Sequence, residues 1–195
     1  MEISFETFRA IDKLIENNMF QSVQQLLIGY ENHPQFNKLV FETISKGKLV
    51  WSIASAYKMK TVEQVDEAAH LVNYLDNEVR TRDIEKYSSD TWWQIMAHGA
   101  LARRYCQFSM PQKAKAQHEI SLSLARTYLK NRSRAIVWVV SGIRDDNCLA
   151  EPGLALLGEA VKYAEQIEDP ALRSSELKSL ASIRYPGFKY QGPVN

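Results

Sequence analysis

The chain has 195 residues, of which 45% are apolar and 24% charged, and its formal net charge is +1. This length suits one domain or two small ones and buries enough surface to fold without a metal ion or a disulfide. A nearly neutral chain gives no global electrostatic reason to expect nucleic acid or a membrane as its partner. Because it has only 8 Gly and 6 Pro, long helices are favoured over a β-rich fold.

The N-terminal stretch and the cysteines predict a cytoplasmic protein. The first residues carry acids and lack the apolar stretch of a signal peptide, and no apolar run approaches the ~20 residues of a membrane span. Cys106 and Cys148 lie far apart and form no CxxC motif. We expect two isolated thiols in a reducing compartment rather than one disulfide. A secreted effector without a classical signal peptide is the alternative.

Helix-start signals divide the first part of the chain into five predicted helices. Ser4 can cap the first helix, and Pro34 can start the third. Thr61 and Gln64 form a capping box, in which each side chain would accept a hydrogen bond from a free amide at the start of the fifth helix. Apolar residues at helical spacing carry that helix to about Val79.

The centre of the chain predicts a helical hairpin. The stretch from Ser88 to Arg134 contains two apolar stripes at helical spacing, separated by a turn at Ser109-Met110-Pro111. The following run, Ile136–Val140, is apolar on all sides and could be a buried strand. A lone strand in a helical chain has no partner, so we predict a helix buried on several sides.

Two further helices complete the predicted architecture, one starting at Pro152 and one at Asp169-Pro170. We predict one all-α domain over residues 1–187, with nine or ten helices stacked as antiparallel pairs in a short solenoid or bundle. If the domain has a seam, it falls in the polar stretch 80–89. Residues 188–195 are expected to form a flexible tail.

The central hairpin resembles the tetratricopeptide family of helical-hairpin repeats. Leu101-Ala102-x-x-Tyr105, Ser109 and Ala114 stand where that family has Leu-Gly-x-x-Tyr, a turn Gly and a second-helix Ala. The resemblance covers about one hairpin. It implies a scaffold that binds protein segments on the face made by the first helix of each pair. The residues that would then face the groove are Met96, Gly99, Arg103 and Cys106. Any antiparallel helix pair, however, also needs small residues where its helices touch.

The charge distribution predicts a basic centre between acidic flanks. Residues 103–134 hold eight basic residues and one acidic residue, whereas 61–91 and 144–176 each hold eight acids and three bases. The basic residues are Arg103, Arg104, Lys113, Lys115, Arg126, Lys130, Arg132 and Arg134. They could form a docking face for an acidic partner. Alternatively, neighbouring helices pair these charges within the stack, and each exposed pair then contributes only ~0–1 kcal/mol.

Two adjacent tryptophans open the hairpin. Trp92 and Trp93 point about 100° apart on a helix, so both can be buried only if the helix is covered on two sides. We predict burial of both. The alternative is that one is an exposed aromatic anchor of the kind enriched in binding hot spots.

No catalytic or metal-binding motif is present. The four histidines lack metal-ligand spacing, and there is no GxSxG, Walker or GxGxxG pattern. They are His33, His70, His98 and His118. We therefore expect no metal, no cofactor and no enzymatic activity. A pocket near Trp92, His98 and His118 is the enzymatic alternative.

The sequence thus predicts a non-enzymatic protein–protein interaction module, such as an adaptor, chaperone or effector, that binds an acidic partner through its basic central hairpin. A nucleic-acid-associated helical protein using the same basic residues is the alternative outside the protein-binding class. No membrane partner is expected.

Overall fold

Helices account for all the regular structure in the part of the chain that the computed structural model describes. It describes residues 2–45, 48–55, 58–82, 84, 91–128, 130–141, 143 and 145–192, and none of these forms a β-strand. The α-helices in these ranges are α1 (Phe5–Glu16), α2 (Phe20–Gly29), α3 (Phe36–Ser45), α4 (Lys48–Ala54), α5 (Val62–Thr81), α6 (Trp92–Gln107), α7 (Pro111–Thr127), α8 (Arg132–Val140), α9 (Gly153–Glu165) and α10 (Pro170–Ala181). The all-α prediction is confirmed, including the helical interpretation of the apolar run now in α8.

Side-chain caps begin several helices where the sequence predicted them. The Ser4 hydroxyl accepts a hydrogen bond from the third residue of α1. Thr61 accepts from the Gln64 amide at 3.4 Å, while the Gln64 side chain accepts from the amide just before the cap at 2.7 Å. The Asp169 carboxylate accepts from two amides of α10. These bonds satisfy donors that a helix start otherwise leaves without partners.

Prolines mark helix starts in three different ways. Pro111 and Pro170 are the first residues of their helices, where a missing amide hydrogen costs nothing. Pro152 is the residue immediately before α9. The third helix begins at Phe36, two residues later than the predicted start at Pro34.

The even-numbered helices from α4 onward form one row. Helices α4, α6, α8 and α10 pack side by side in that order, and α5, α7 and α9 pack against this row. Helices α6 and α7 make the largest contact, as the predicted hairpin requires. Buried side chains form two clusters, one centred on α1–α6 and one on α7–α10, and α6 contributes to both.

Small residues let α6 approach its neighbours closely. Ala97, Ala100 and Ala102 are buried, and a Cβ added at Gly99 would lie 3.3 Å from the Trp138 indole nitrogen of α8 and 3.4 Å from a hydroxyl of α7. At the α6–α7 turn, Ser109 adopts φ +58°, a left-handed conformation that favours glycine. The hairpin thus has tight contacts at its middle and at its turn.

The cysteines correct one prediction. Cys106 at the end of α6 and Cys148 in the 3-10 turn after α8 form a disulfide, with their Cα atoms 5.7 Å apart. We expected two isolated thiols because their separation of 42 residues gave no sign of contact. Packing of α6, α7 and α8 brings the two positions together, so their pairing depends on the tertiary fold. A disulfide is typical of an oxidising environment, so it does not support the predicted reducing compartment.

The predicted seam and tail fall partly outside the described residues. Of the stretch 80–89, the structure describes the end of α5, Arg82 and Ile84, and Ile84 is buried in the first cluster. In the predicted tail, Phe188 and Tyr190 pack against the second cluster, and residues 193–195 lie outside the described part. In the described ranges, no helix combines the length and the apolar character needed to cross a membrane.

We expect the disulfide to stabilise the fold by restricting the unfolded chain. Closing a loop of this length corresponds to about 4 kcal/mol in the chain-entropy model. Cys106→Ser should therefore lower the free energy of unfolding by up to about that amount, measured by urea unfolding. Wild-type protein reduced with dithiothreitol should match the variant, and equal stabilities of the oxidised and reduced proteins would contradict the assignment.

Candidate functional site

The main candidate site is a groove on the face of the α4–α6–α8–α10 row, which we call the aromatic groove. It encloses about 640 Å³, within the range of ligand-binding clefts. Every helical residue that lines it comes from these four helices, and the rest come from the α7–α8 connection and the end of α8. The lining residues are Trp51, Trp92, Met96, Tyr128, Lys130, Asn131, Arg134, Val137, Trp138, Ser141 and Ser179.

Three aromatic rings form one wall of the groove. The Trp92 ring lies 5.5 Å from the ring of Tyr128 and 6.4 Å from that of Trp138, measured between centroids, and both pairs are tilted. Trp51 of α4 also lines the groove and is 63% exposed. Large aromatic side chains at a concave surface are the usual anchors of protein–protein contacts. The groove therefore presents apolar surface that suits contact with a protein partner.

The position of Trp92 differs from the prediction. Trp93 is buried in the first cluster, as predicted, whereas Trp92 is only half-buried and lines the groove. The two rings differ in the side of α6 on which they lie. Trp93 lies on the side that packs into the first cluster, whereas Trp92 lies on the side where the groove separates α4 from α8. One of the two adjacent rings thus lies in the core, and the other lines the groove.

Positive charge accompanies the aromatic wall. Arg134 is exposed on the first turn of α8, and Lys130 lies just before that helix. No acidic side chain is among the described residues that line the groove. A concave site with one sign of charge raises the local concentration of the opposite sign. The lining thus favours an anionic occupant.

A further arginine lies against the aromatic wall. The Arg103 guanidinium carbon lies 4.7 Å from the centre of the Trp138 ring, and its Nε donates to the Gly99 carbonyl. One of its terminal nitrogens is buried without a hydrogen-bond acceptor among the described residues, and so is the Trp138 indole nitrogen. Burial and then the charge of neighbouring Arg104 lower the pKa of Arg103. The wall thus carries a desolvated cation, which an anion in the groove would stabilise.

Most other basic residues of the hairpin make contacts within the fold. Arg126 of α7 pairs with Glu151 and Glu159 at 2.8 and 2.7 Å. These hydrogen bonds raise the pKa of Arg126, and those from Arg126 hold the pKa of Glu151 below its usual value. This pairing agrees with the alternative interpretation of the charge pattern, in which opposite charges on neighbouring helices pair within the stack.

Lys113 and Arg104 are also used internally. The Lys113 ammonium contacts Asp66 of α5 at 2.7 Å, and the Tyr105 hydroxyl donates to the same carboxylate. Burial alone would raise the pKa of Asp66, but these two hydrogen bonds lower it. Arg104 is only 3% exposed and donates to the Ile53 carbonyl of α4 at 3.0 Å. Both basic residues therefore hold α6 and α7 against the first half of the chain.

The remaining basic residues lie outside the groove. Lys115 is exposed on α7. Arg132 lies over the Tyr163 ring at 5.6 Å. It lines a neighbouring cavity between α8 and the α9–α10 connection, which shares Lys130 and Asn131 with the groove and also contains Glu168 and Asp169. The eight predicted residues therefore point towards several different neighbours. Of these eight, the structure places only Lys130 and Arg134 in the groove lining.

The histidines of the hairpin do not form a site. His98 is fully buried, and its ring bonds to Asp76 of α5 and Gln117 of α7, both at 2.7 Å. This network crosses three helices and accounts for both ring nitrogens. Neither His98 nor His118 lines the groove beside Trp92. The two rings thus have separate structural environments.

His118 is held in its neutral form. It is fully buried, its Nδ1 accepts from the Ala150 amide at 3.1 Å, and its Nε2 has no partner among the described residues. Burial lowers the pKa of His118 to about 4, against a smaller opposing effect of Glu151. The ring connects α7 to the segment that follows the disulfide. Its role is therefore to hold that segment in place.

One group in the described part of the chain has the composition of a metal site. Cys106, Asp145 and Cys148 place three ligand atoms within 4.8 Å of one another. The two sulfurs are bonded to each other, so neither is a free thiolate ligand. The Asp145 carboxylate instead accepts from the Asn147 amide at the start of the 3-10 turn. In this oxidation state the group is a structural crosslink.

Sequence reasoning missed three of the four aromatic residues that line the groove, namely Trp51, Tyr128 and Trp138. Trp51 follows an apolar pair on a short helix, and Trp138 lies in the run that is apolar on all sides. The only available signal was their size, since tryptophan is enriched in binding sites. Comparison with family models, with curated proteins and with solved structures found no match to this chain. The groove is therefore interpreted from its own geometry.

We expect His118 to make stability depend on pH. Its unfolded-state pKa of about 6.5 exceeds its folded-state pKa, so the unfolded chain binds the proton more tightly. Stability should be complete above pH ~6.5 and fall towards pH ~4, by up to roughly 3 kcal/mol from this group alone. In His118→Gln, unfolding free energies measured between pH 7.5 and 4.5 should fall less steeply. Parallel curves for the two proteins would contradict this role.

Proposed function

We propose that this protein is a non-enzymatic interaction module that captures an acidic segment of a partner protein in the aromatic groove. The observation that carries the proposal is the composition of the groove, in which aromatic rings adjoin the exposed Arg134 and no acid is among the described lining residues. Such a surface supplies apolar anchoring together with charge complementarity. The roles suggested by the sequence, as an adaptor, chaperone or effector, all require this kind of capture.

The helix arrangement supports this proposal. In the resemblance to tetratricopeptide repeats, protein segments bind on the face made by the first helix of each pair. Here α4, α6, α8 and α10 form one row, and the aromatic groove opens on that row. Met96 lines it, while Gly99 and Arg103 contact Trp138 behind it. Cys106 is held in the disulfide, so it does not take part in capture.

Single-stranded nucleic acid is the second candidate, because aromatic rings beside basic residues also suit stacked bases and phosphates. Fewer basic residues are available than the sequence suggested, since Arg126 and Lys113 are paired with acids of neighbouring helices. An acidic protein segment needs less positive charge and more apolar contact, which is the balance seen in the groove. We therefore favour the protein partner.

Reversing one charge in the groove should weaken capture. We expect Arg134→Glu to reduce binding of a fluorescein-labelled peptide of Glu residues around a single Phe by about tenfold or more, since it removes one attractive pair and adds a repulsive one. Fluorescence anisotropy at ~50 mM salt measures the dissociation constant, and oligo-dT of the same charge tests the nucleic-acid candidate.

Lys115→Glu is the matched control, because it makes the same charge change at an exposed position of α7 outside the groove. It should leave peptide binding within about twofold of wild type, since an exposed distant charge is largely screened. Equal losses in both variants would show a general charge effect and count against the groove. Failure of wild type to bind the peptide while binding oligo-dT would favour the second candidate.

A further inference from the structure

A second cavity adjoins the aromatic groove between α8 and α10. This second cavity encloses about 330 Å³. Its lining residues are Val137, Val140, Ser141, Leu157, Ser179, Ser182, Ile183, Arg184 and Tyr185. Val137, Ser141 and Ser179 line both cavities. The two spaces therefore lie side by side along the helix row, and we call them together the trough.

The floor of the second cavity is apolar and its far end is basic. Val140 and Leu157 are buried at its base, and Arg184 is exposed in its lining. No acidic side chain is among its described lining residues. The trough thus has Arg134 in one cavity and Arg184 in the other, with an apolar space in each. A single apolar anchor would leave one of the two spaces unfilled.

Serine hydroxyls along the trough suit an exposed backbone. Ser141 and Ser182 donate to carbonyls of their own helices at 3.0 and 2.6 Å, which leaves their oxygen lone pairs free to accept. An extended segment presents backbone N–H groups to such acceptors, whereas a helix satisfies its own. In an extended segment, alternate side chains project to the same side about 7 Å apart. Two anchors can then enter neighbouring cavities.

We infer that the occupant of the trough is an extended acidic segment with two apolar side chains, one seated in the aromatic groove and the other in the second cavity. This inference rests on the proposed function and adds the conformation and the anchor pattern of the partner. The acidic residues next to the anchors meet Arg134 and Arg184. The serine hydroxyls of the shared and far walls accept from the backbone between them.

The test compares two labelled peptides of equal length and charge. One has two Phe residues separated by one Glu within a run of Glu residues, and the other has Ser in place of the second Phe. Burying a second large apolar side chain corresponds to about a tenfold or larger gain in affinity. Wild type should therefore bind the two-Phe peptide at least tenfold more tightly, measured by fluorescence anisotropy.

Filling the second cavity should remove this advantage. Ser182→Trp places a large ring at an exposed position of that cavity, so the variant should bind the two-Phe peptide no more tightly than it binds the one-Phe peptide. Ser175→Trp is the matched control, because Ser175 is exposed on α10 and lines neither cavity. It should bind both peptides as wild type does, and circular dichroism should show equal helicity in all three proteins.

The outcomes separate the inference from the proposed function. Equal binding of the two peptides by wild type, with both weakened by Arg134→Glu, would overturn the two-anchor inference and leave capture in the aromatic groove standing. An unchanged preference for the two-Phe peptide in Ser182→Trp would also overturn it, because the second anchor would then bind elsewhere. Absence of binding to both peptides would overturn the inference together with the proposed function.

Discussion

The structure depends on how closely α6 approaches the helices around it. Buried residues lie on most sides of α6, which packs against α4, α5, α7 and α8. Such an approach is possible only where side chains are small, and Gly99 has the Trp138 indole on one side and a hydroxyl of α7 on the other. A larger residue there would have to displace the ring that forms the groove wall. The contact between Gly99 and Trp138 therefore affects both the packing of the core and the shape of the groove.

The polar residues of α6 and the exposed basic residue of α8 have different roles. Arg104 bonds to α4, and His98 bonds to Asp76 of α5, so these polar groups serve to join helices. A buried polar group without a hydrogen-bond partner costs free energy, so these bonds favour one arrangement of the helices over others. Arg134, by contrast, projects from the exposed side of α8. What distinguishes it from Arg126 and Lys113, which pair with acids, is that it lines the groove, where the described lining residues include no acid.

Much of the fold followed from local chemistry. The caps at Ser4, Thr61 and Asp169 and the prolines at the starts of α7 and α10 mark places where a helix can begin at little cost. Each of these signals involves residues that are neighbours in the chain, so it can be recognised from the sequence alone. The start of α3 and the disulfide were misjudged. The disulfide depends on contact across 42 residues, which no local pattern encodes.

Local patterns in the chain were enough to predict the helices, the hairpin at the centre and the cluster of basic residues there. The tertiary fold then set which of those residues pair with acids, because Arg126 and Lys113 meet carboxylates of α9 and α5 that lie far away in the chain. It also decided that Trp92 lines a groove with Trp51 and Trp138, while Trp93 is buried. The physical reason is that charge and size are properties of a residue, whereas exposure depends on which helices pack against it.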